Sequence, residues 1–196
     1  SDLRIDQRLS LHPAIMKFIQ SIVTKPILVL CTLFGISACS DMKVTHYLKE
    51  QPALDLAQYF NGTLDAYGMF QKRSGEVVKR FHVVIQADWK GDVGTLDEHF
   101  TYSDGTTQRR VWTITKTNQN QYVGTASDVI GQALGESSGN ALRWQYVLAL
   151  PVDDKIYHVD FDDWMYLMDN RIMLNRSKMS KWGFDLGEVT LTFVKR

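Results

Sequence analysis

From Gly62 to the C-terminus the chain alternates apolar and polar residues with a period of two, and that period is the geometry of a half-buried strand. In 80–89, Phe81, Val83, Ile85, Ala87 and Trp89 share one face while Arg80, His82, Gln86 and Asp88 take the other. In 142–150, Leu142, Trp144, Tyr146, Leu148 and Leu150 oppose Arg143, Gln145, Val147 and Ala149, and near the end Val189, Leu191 and Phe193 oppose Thr190 and Thr192. Turn signals punctuate these runs: Arg73-Ser74-Gly75, Lys90-Gly91-Asp92, Ser103-Asp104-Gly105, Asn118-Gln119-Asn120, Ser138-Gly139-Asn140, Asp153-Asp154 and Asp169-Asn170. A spacing of roughly ten to fifteen residues without helical runs predicts an all-β fold, an antiparallel up-and-down β-barrel of about eight to ten strands. Closure removes the edges; a sandwich of the same strands is the alternative. Ala53 to Phe60 (ALDLAQYF) could form a short helix at the barrel entrance.

Composition removes several functions. With 22 basic and 22 acidic side chains the formal charge is zero, whereas a nucleic-acid binder carries a basic face. Two cysteines cannot build a disulfide scaffold, a zinc ribbon or an iron–sulfur cluster. An apolar share of 44% excludes disorder as the main state.

The N-terminal 38 residues read as an address. Lys17 and Lys25 precede an apolar run, Ile27 to Ile36, about half the length a membrane-spanning helix needs. The run ends in Ile36-Ser37-Ala38-Cys39, which resembles the lipobox of bacterial lipoproteins. That resemblance implies cleavage before Cys39, a diacylglyceryl group on its thiol and a third acyl chain on its amine, an anchor far stronger than one chain provides. Ser40 rather than Asp follows, which by resemblance to sorted lipoproteins implies the outer membrane of a Gram-negative cell, facing the periplasm. Cys31 lies within the signal and would be discarded. Residues 1–15 are read as an upstream extension, 16–38 as signal peptide, 39–52 as a polar tether and 53–196 as one barrel domain.

Two family resemblances follow from longer stretches. Asp55-Leu56-Ala57-Gln58-Tyr59-Phe60-Asn61-Gly62-Thr63-Leu64 resembles the helix and first strand of lipocalins, with Leu64 where their tryptophan stands. Asp128-Val129-Ile130-Gly131, Gly139-Asn140-Ala141-Leu142-Arg143-Trp144, Asp162-Asp163-Trp164-Met165-Tyr166-Leu167, Asn175-Arg176 and Lys181-Trp182-Gly183-Phe184 are similar to an uncharacterised family of bacterial lipoproteins, domain-of-unknown-function family 3833. This implies a calycin-like barrel over nearly all of 47–196 and favours lipid handling.

The residues offer few catalysts. Gly135-Glu136-Ser137-Ser138-Gly139 matches the G-x-S-x-G elbow, but it leads into a strand rather than a helix and reads as a hairpin turn. On a strand, Asp160 and Asp162 share one face and Asp163 takes the other; a structural reading pairs one of them with Arg143 or Arg176. The histidines at 46, 82, 99 and 158 lack metal-ligand spacing, and neither metal nor cofactor is expected. Phe81, Trp89, Phe100, Tyr102, Trp112, Trp144, Tyr146, Trp164 and Phe193 are expected to point inward, either filling the barrel or lining a cavity for an acyl chain, with Arg110, Arg143 or Glu98 as polar contacts at its mouth. Candidate ligand or motif residues are Glu98, Arg110, Trp112, Asp128, Asn140, Arg143, Trp144, Asp162, Asp163, Trp164, Asn175 and Arg176, beside the lipidation site Cys39. The expected role is non-enzymatic: an anchored barrel that binds or shields a lipid or other apolar molecule. An envelope interaction module with a solid barrel is the alternative, and a hydrolase or isomerase using Ser137 or the aspartates ranks third.

Overall fold

The computed structural model describes residues 42–152 and 155–196. The segment read as a signal peptide, Cys39, and Asp153-Asp154, read as a turn signal, lie outside the described residues. Ten strands follow in order: β1 Gly62–Lys72, β2 Val77–Lys90, β3 Val93–Tyr102, β4 Thr107–Asn118, β5 Gln121–Thr125, β6 Val129–Ser138, β7 Ala141–Val152, β8 Lys155–Leu167, β9 Ile172–Lys181 and β10 Phe184–Lys195. Each pairs antiparallel with the next, and β1 pairs with β10 from Leu64↔Lys195 to Lys72↔Gly187, closing the barrel. This is the up-and-down barrel the alternation predicts, at the upper end of the expected strand count. The β1–β10 seam joins the two terminal strands, while the short β5 pairs only with Thr113 to Asn118 of β4, so 107–112 pairs on the β3 side alone. The seam is clamped outside, where Asp65 accepts two hydrogen bonds from Arg196 (2.7 and 2.8 Å) and contacts His82 at 2.9 Å.

Alternation decides what faces inward. Val83, Ile85, Leu142, Leu148 and Phe193 are all buried in the core. Trp144 lies over Gly124 and Gly135, where an added Cβ would come within 2.4 and 2.2 Å of its indole. Glycine is required there because the ring occupies the space a side chain would take. Trp164 departs from expectation. In β8 the residues Phe161, Asp163 and Met165 line the interior, so Trp164 faces out, with Arg143 5.3 Å from its ring and Tyr166 stacked at 6.3 Å. Its apolar area is covered from outside by Tyr47 at 6.1 Å.

One end of the barrel is plugged. Asp55 caps the short helix α1 (Leu56–Tyr59) by accepting from the Gln58 amide at 3.0 Å. Leu56 and Phe60 point into the barrel, Phe60 packing edge-on against Phe193 at 5.4 Å. The Tyr59 hydroxyl reaches the carbonyls of Arg171 and Phe193 at 3.0 and 3.3 Å. Within the segment read as a tether, Val44–Tyr47 forms a 3-10 turn with Val44 buried. The Gly139-Asn140 turn receives it: the Leu54 amide donates to the Gly139 carbonyl at 2.8 Å. Gly139 has φ +54° and would place a Cβ 1.7 Å from the Tyr47 carbonyl oxygen. The described part of the tether is thus packed on the barrel wall.

Candidate functional site

Ten strands enclose more space than the eight that side chains just fill. The interior is mostly packed, yet a cavity of about 160 Å³ remains, lined chiefly by apolar and aromatic side chains, Trp112, Trp144, Phe81, Phe100 and Phe161 among them. α1 closes it on one side. Towards the other, Phe70, Tyr102, Gln108 and Leu150 line both the cavity and a wider groove that also includes Val78, Pro151, Ile156, Met179 and Leu186. That groove is the mouth, at the end carrying the β1–β2, β3–β4, β7–β8 and β9–β10 hairpins.

A polar belt crosses the cavity. Glu98 on β3 and Arg110 on β4 are cross-strand partners, Asp163 comes from β8, and Asn175 and Ser177 from β9; all five line the space. Arg110 donates from Nε and Nη2 to the Asp128 carboxylate at 2.7 to 3.0 Å and lies 5.4 Å from the Phe100 ring. Burial opposes its charge, but Glu98 and Asp128 outweigh burial and raise its pKa. Asp163 accepts from the Ser177 hydroxyl and from the Tyr146 hydroxyl at 3.2 Å. Burial pushes its carboxyl up to about 7 even though those hydrogen bonds favour the anion. Glu98 is likewise pushed up to about 7 by burial, with Arg110 pulling the other way and Asp128 and Asp163 adding to the rise. Its nearest cation is Arg110 Nη1 at 3.8 Å.

The sequence candidates divide cleanly by strand parity. Glu98, Arg110, Trp112, Trp144, Asp163 and Asn175 meet at the cavity, and Asp128 joins them through Arg110. Arg143, expected as a possible cavity contact, faces outward and pairs with Asp162 at 2.7 Å, which realises the structural ion pair. Arg176 is outside, paired with Glu188 at 2.8 Å. Asn140 is in the plug-end turn, donating to the Leu167 carbonyl at 3.1 Å. Ser137 and Ser138 end β6, buried, and the chain turns at Gly139-Asn140 into β7, so the G-x-S-x-G stretch is a hairpin. Among the described residues no group of three or more His, Cys, Asp or Glu is placed to hold a metal ion, and no helix is long and apolar enough to cross a membrane. Cys39 lies outside the described residues.

Ser177 is the belt residue that the sequence reading did not single out. Its signal is parity: Met173, Asn175, Ser177 and Met179 alternate with Leu174, Arg176 and Lys178. With methionine at both ends, the pattern puts two polar residues on the inner face.

Comparison with known proteins bears on the fold. A family model described as a protein of unknown function (DUF3833) matches residues 33–195. No curated protein matches the chain. Among solved structures, the S-type phycobiliprotein lyase CPES from Guillardia theta is similar with a TM-score of 0.50 and 7% identity, covering 69% of this chain and 88% of that one. A de novo designed fluorescence-activating β-barrel is similar with a TM-score of 0.41 and 15% identity, covering 73% and 99%. At such identity the lyase likeness concerns the fold alone.

Proposed function

The chain belongs to the DUF3833 family of proteins of unknown function, and for it we propose a non-enzymatic binding role at the bacterial envelope. The barrel takes an apolar small molecule, such as part of a lipid, into its interior. Acylated Cys39 holds the barrel at the outer membrane, on the periplasmic side. The observation that carries this reading is the residual cavity, apolar on most of its wall, crossed by a few buried polar groups and opening on a groove. Concave apolar sites with a few convergent polar groups are the usual form of small-molecule pockets.

Two measurements test it together. Wild-type protein expressed with its leader should partition with outer membranes, and Cys39→Ser should move it to the soluble fraction. Native mass spectrometry of the wild type, released gently from its own membrane, should retain a bound small molecule. A Cys39→Ser protein that stays on the membrane would overturn the anchor, and ligand-free spectra from native membranes would overturn the cargo.

A second reading has its own support. Trp182, Phe184 and Ile156 stand 84, 71 and 70% exposed on the β9–β10 and β7–β8 hairpins, an apolar fringe that fits a partner surface. Crosslinking in cells through position 182 that recovers one defined protein, with an empty interior, would favour an interaction module instead.

A further inference from the structure

We infer that the cavity takes an amphiphile whose polar end donates hydrogen bonds or carries positive charge, and that it turns away carboxylate heads. This deepens the binding role proposed above and rests on it.

The belt holds one cation, Arg110, and two carboxyl groups, Glu98 and Asp163, and a third carboxyl, Asp128, joins it through Arg110. Arg110 is committed: Nε and Nη2 are bonded to Asp128, and the third nitrogen, Nη1, faces Glu98 at 3.8 Å. Asp163 is met by two neutral hydroxyl donors, Ser177 and Tyr146. Glu98 lines the cavity and, among the described residues, receives no side-chain hydrogen bond. A buried carboxyl facing a cavity without a donor is an acceptor awaiting one, because removing it from water is costly unless a hydrogen bond replaces the hydration. Above the titration of both carboxyls, an anionic head entering here would meet two negative charges, Glu98 and Asp163, and find the guanidinium occupied. An ammonium or hydroxyl head would instead supply the missing donor.

The belt also fixes depth. Tyr102 lines the mouth groove and Glu98 lies four residues deeper on the same strand, about 13 Å along it. The wall between them carries Phe100. The polar end therefore sits well inside the mouth, with apolar wall on both sides of it, Phe100 towards the groove and Leu96 and Trp112 towards α1.

Three probes with one tail separate the possibilities: octylamine, octanol and octanoate, each displacing N-phenyl-1-naphthylamine at about pH 8.5, above the titration of both carboxyls. Octylamine should bind at least tenfold tighter than octanoate, since like charges brought together repel. Glu98→Gln, and separately Asp163→Asn, should shrink that ratio severalfold, with melting curves checking that each variant is folded. Octanoate binding as well as octylamine to the wild type, or a ratio unmoved in both variants, overturns the inference. Displacement by none of the three, with the naphthylamine itself bound, also overturns it while leaving the apolar cavity standing. Failure of the naphthylamine to bind removes the cavity reading itself.

Discussion

Glu98 and Asp163 are carboxyls that the barrel withdraws from water, and their protonation is therefore coupled to folding. Burial raises both to about 7 from ordinary values of 4.5 and 3.8. The folded state then holds more protons than the unfolded chain between those limits, so their contribution is complete below about pH 4 and is lost as the pH rises through 7. Arg110, Tyr146 and Ser177 favour the anions while Asp97, Asp128 and Asp162 add to the rise, and burial decides the direction. Other aspartates act in the opposite sense: Arg196 holds Asp65 low, and Arg109 does the same for Asp97, so their contribution fades in acid. The melting temperature should peak near pH 4 to 5 and fall steadily towards pH 8, and in the Glu98→Gln/Asp163→Asn double variant that fall should flatten. A profile rising from pH 5 to 8 in the wild type would contradict the buried pair. At this scale parity was legible as a separation of Asp162 from Asp163 onto opposite faces, and the structure shows that the inner one is Asp163. It misled where apolar character stood in for parity: Trp164 shares its face with Asp162, and Tyr47, remote in sequence, covers it.

Among the elements, α1 and the Gly139-Asn140 turn together seal one end. Leu56 is 1% exposed and lines the cavity floor, so Leu56→Ala should cost about 2 to 5 kcal/mol in denaturant unfolding. Gly139→Ala should destabilise by more than about 1 kcal/mol, because the positive φ and the Tyr47 carbonyl both exclude a methyl group. Proteolysis near residues 42–50 of that variant should quicken, since the 3-10 turn loses its seat. Unchanged stability and cleavage would mean that the segment is not docked. The strands and most hairpins were legible because turn chemistry is local. Trp182-Gly183 escaped as a turn because tryptophan rarely adopts φ 51°, and nothing in its type announces it. The docking of 42–50 was also invisible, because it depends on a glycine ninety residues away.

For the molecule as a whole, strand number decides between a solid and a hollow barrel. Eight strands would be filled by side chains, whereas ten leave about 160 Å³ even with large rings pointing inward. The sequence brackets that count at eight to ten but cannot choose, since one extra hairpin alters the interior without altering the pattern. An interior of this size matches cavities that admit a benzene-sized group without rearrangement. A longer tail must continue into the mouth groove. The central claim, that this interior binds an apolar ligand, is tested most directly by titrating N-phenyl-1-naphthylamine into the protein and following energy transfer from its tryptophans, of which Trp112 and Trp144 line the cavity. Saturable one-to-one binding, lost when Val83→Phe fills the cavity wall, is the predicted result. No saturable binding, or equal binding to the Val83→Phe variant, would contradict it.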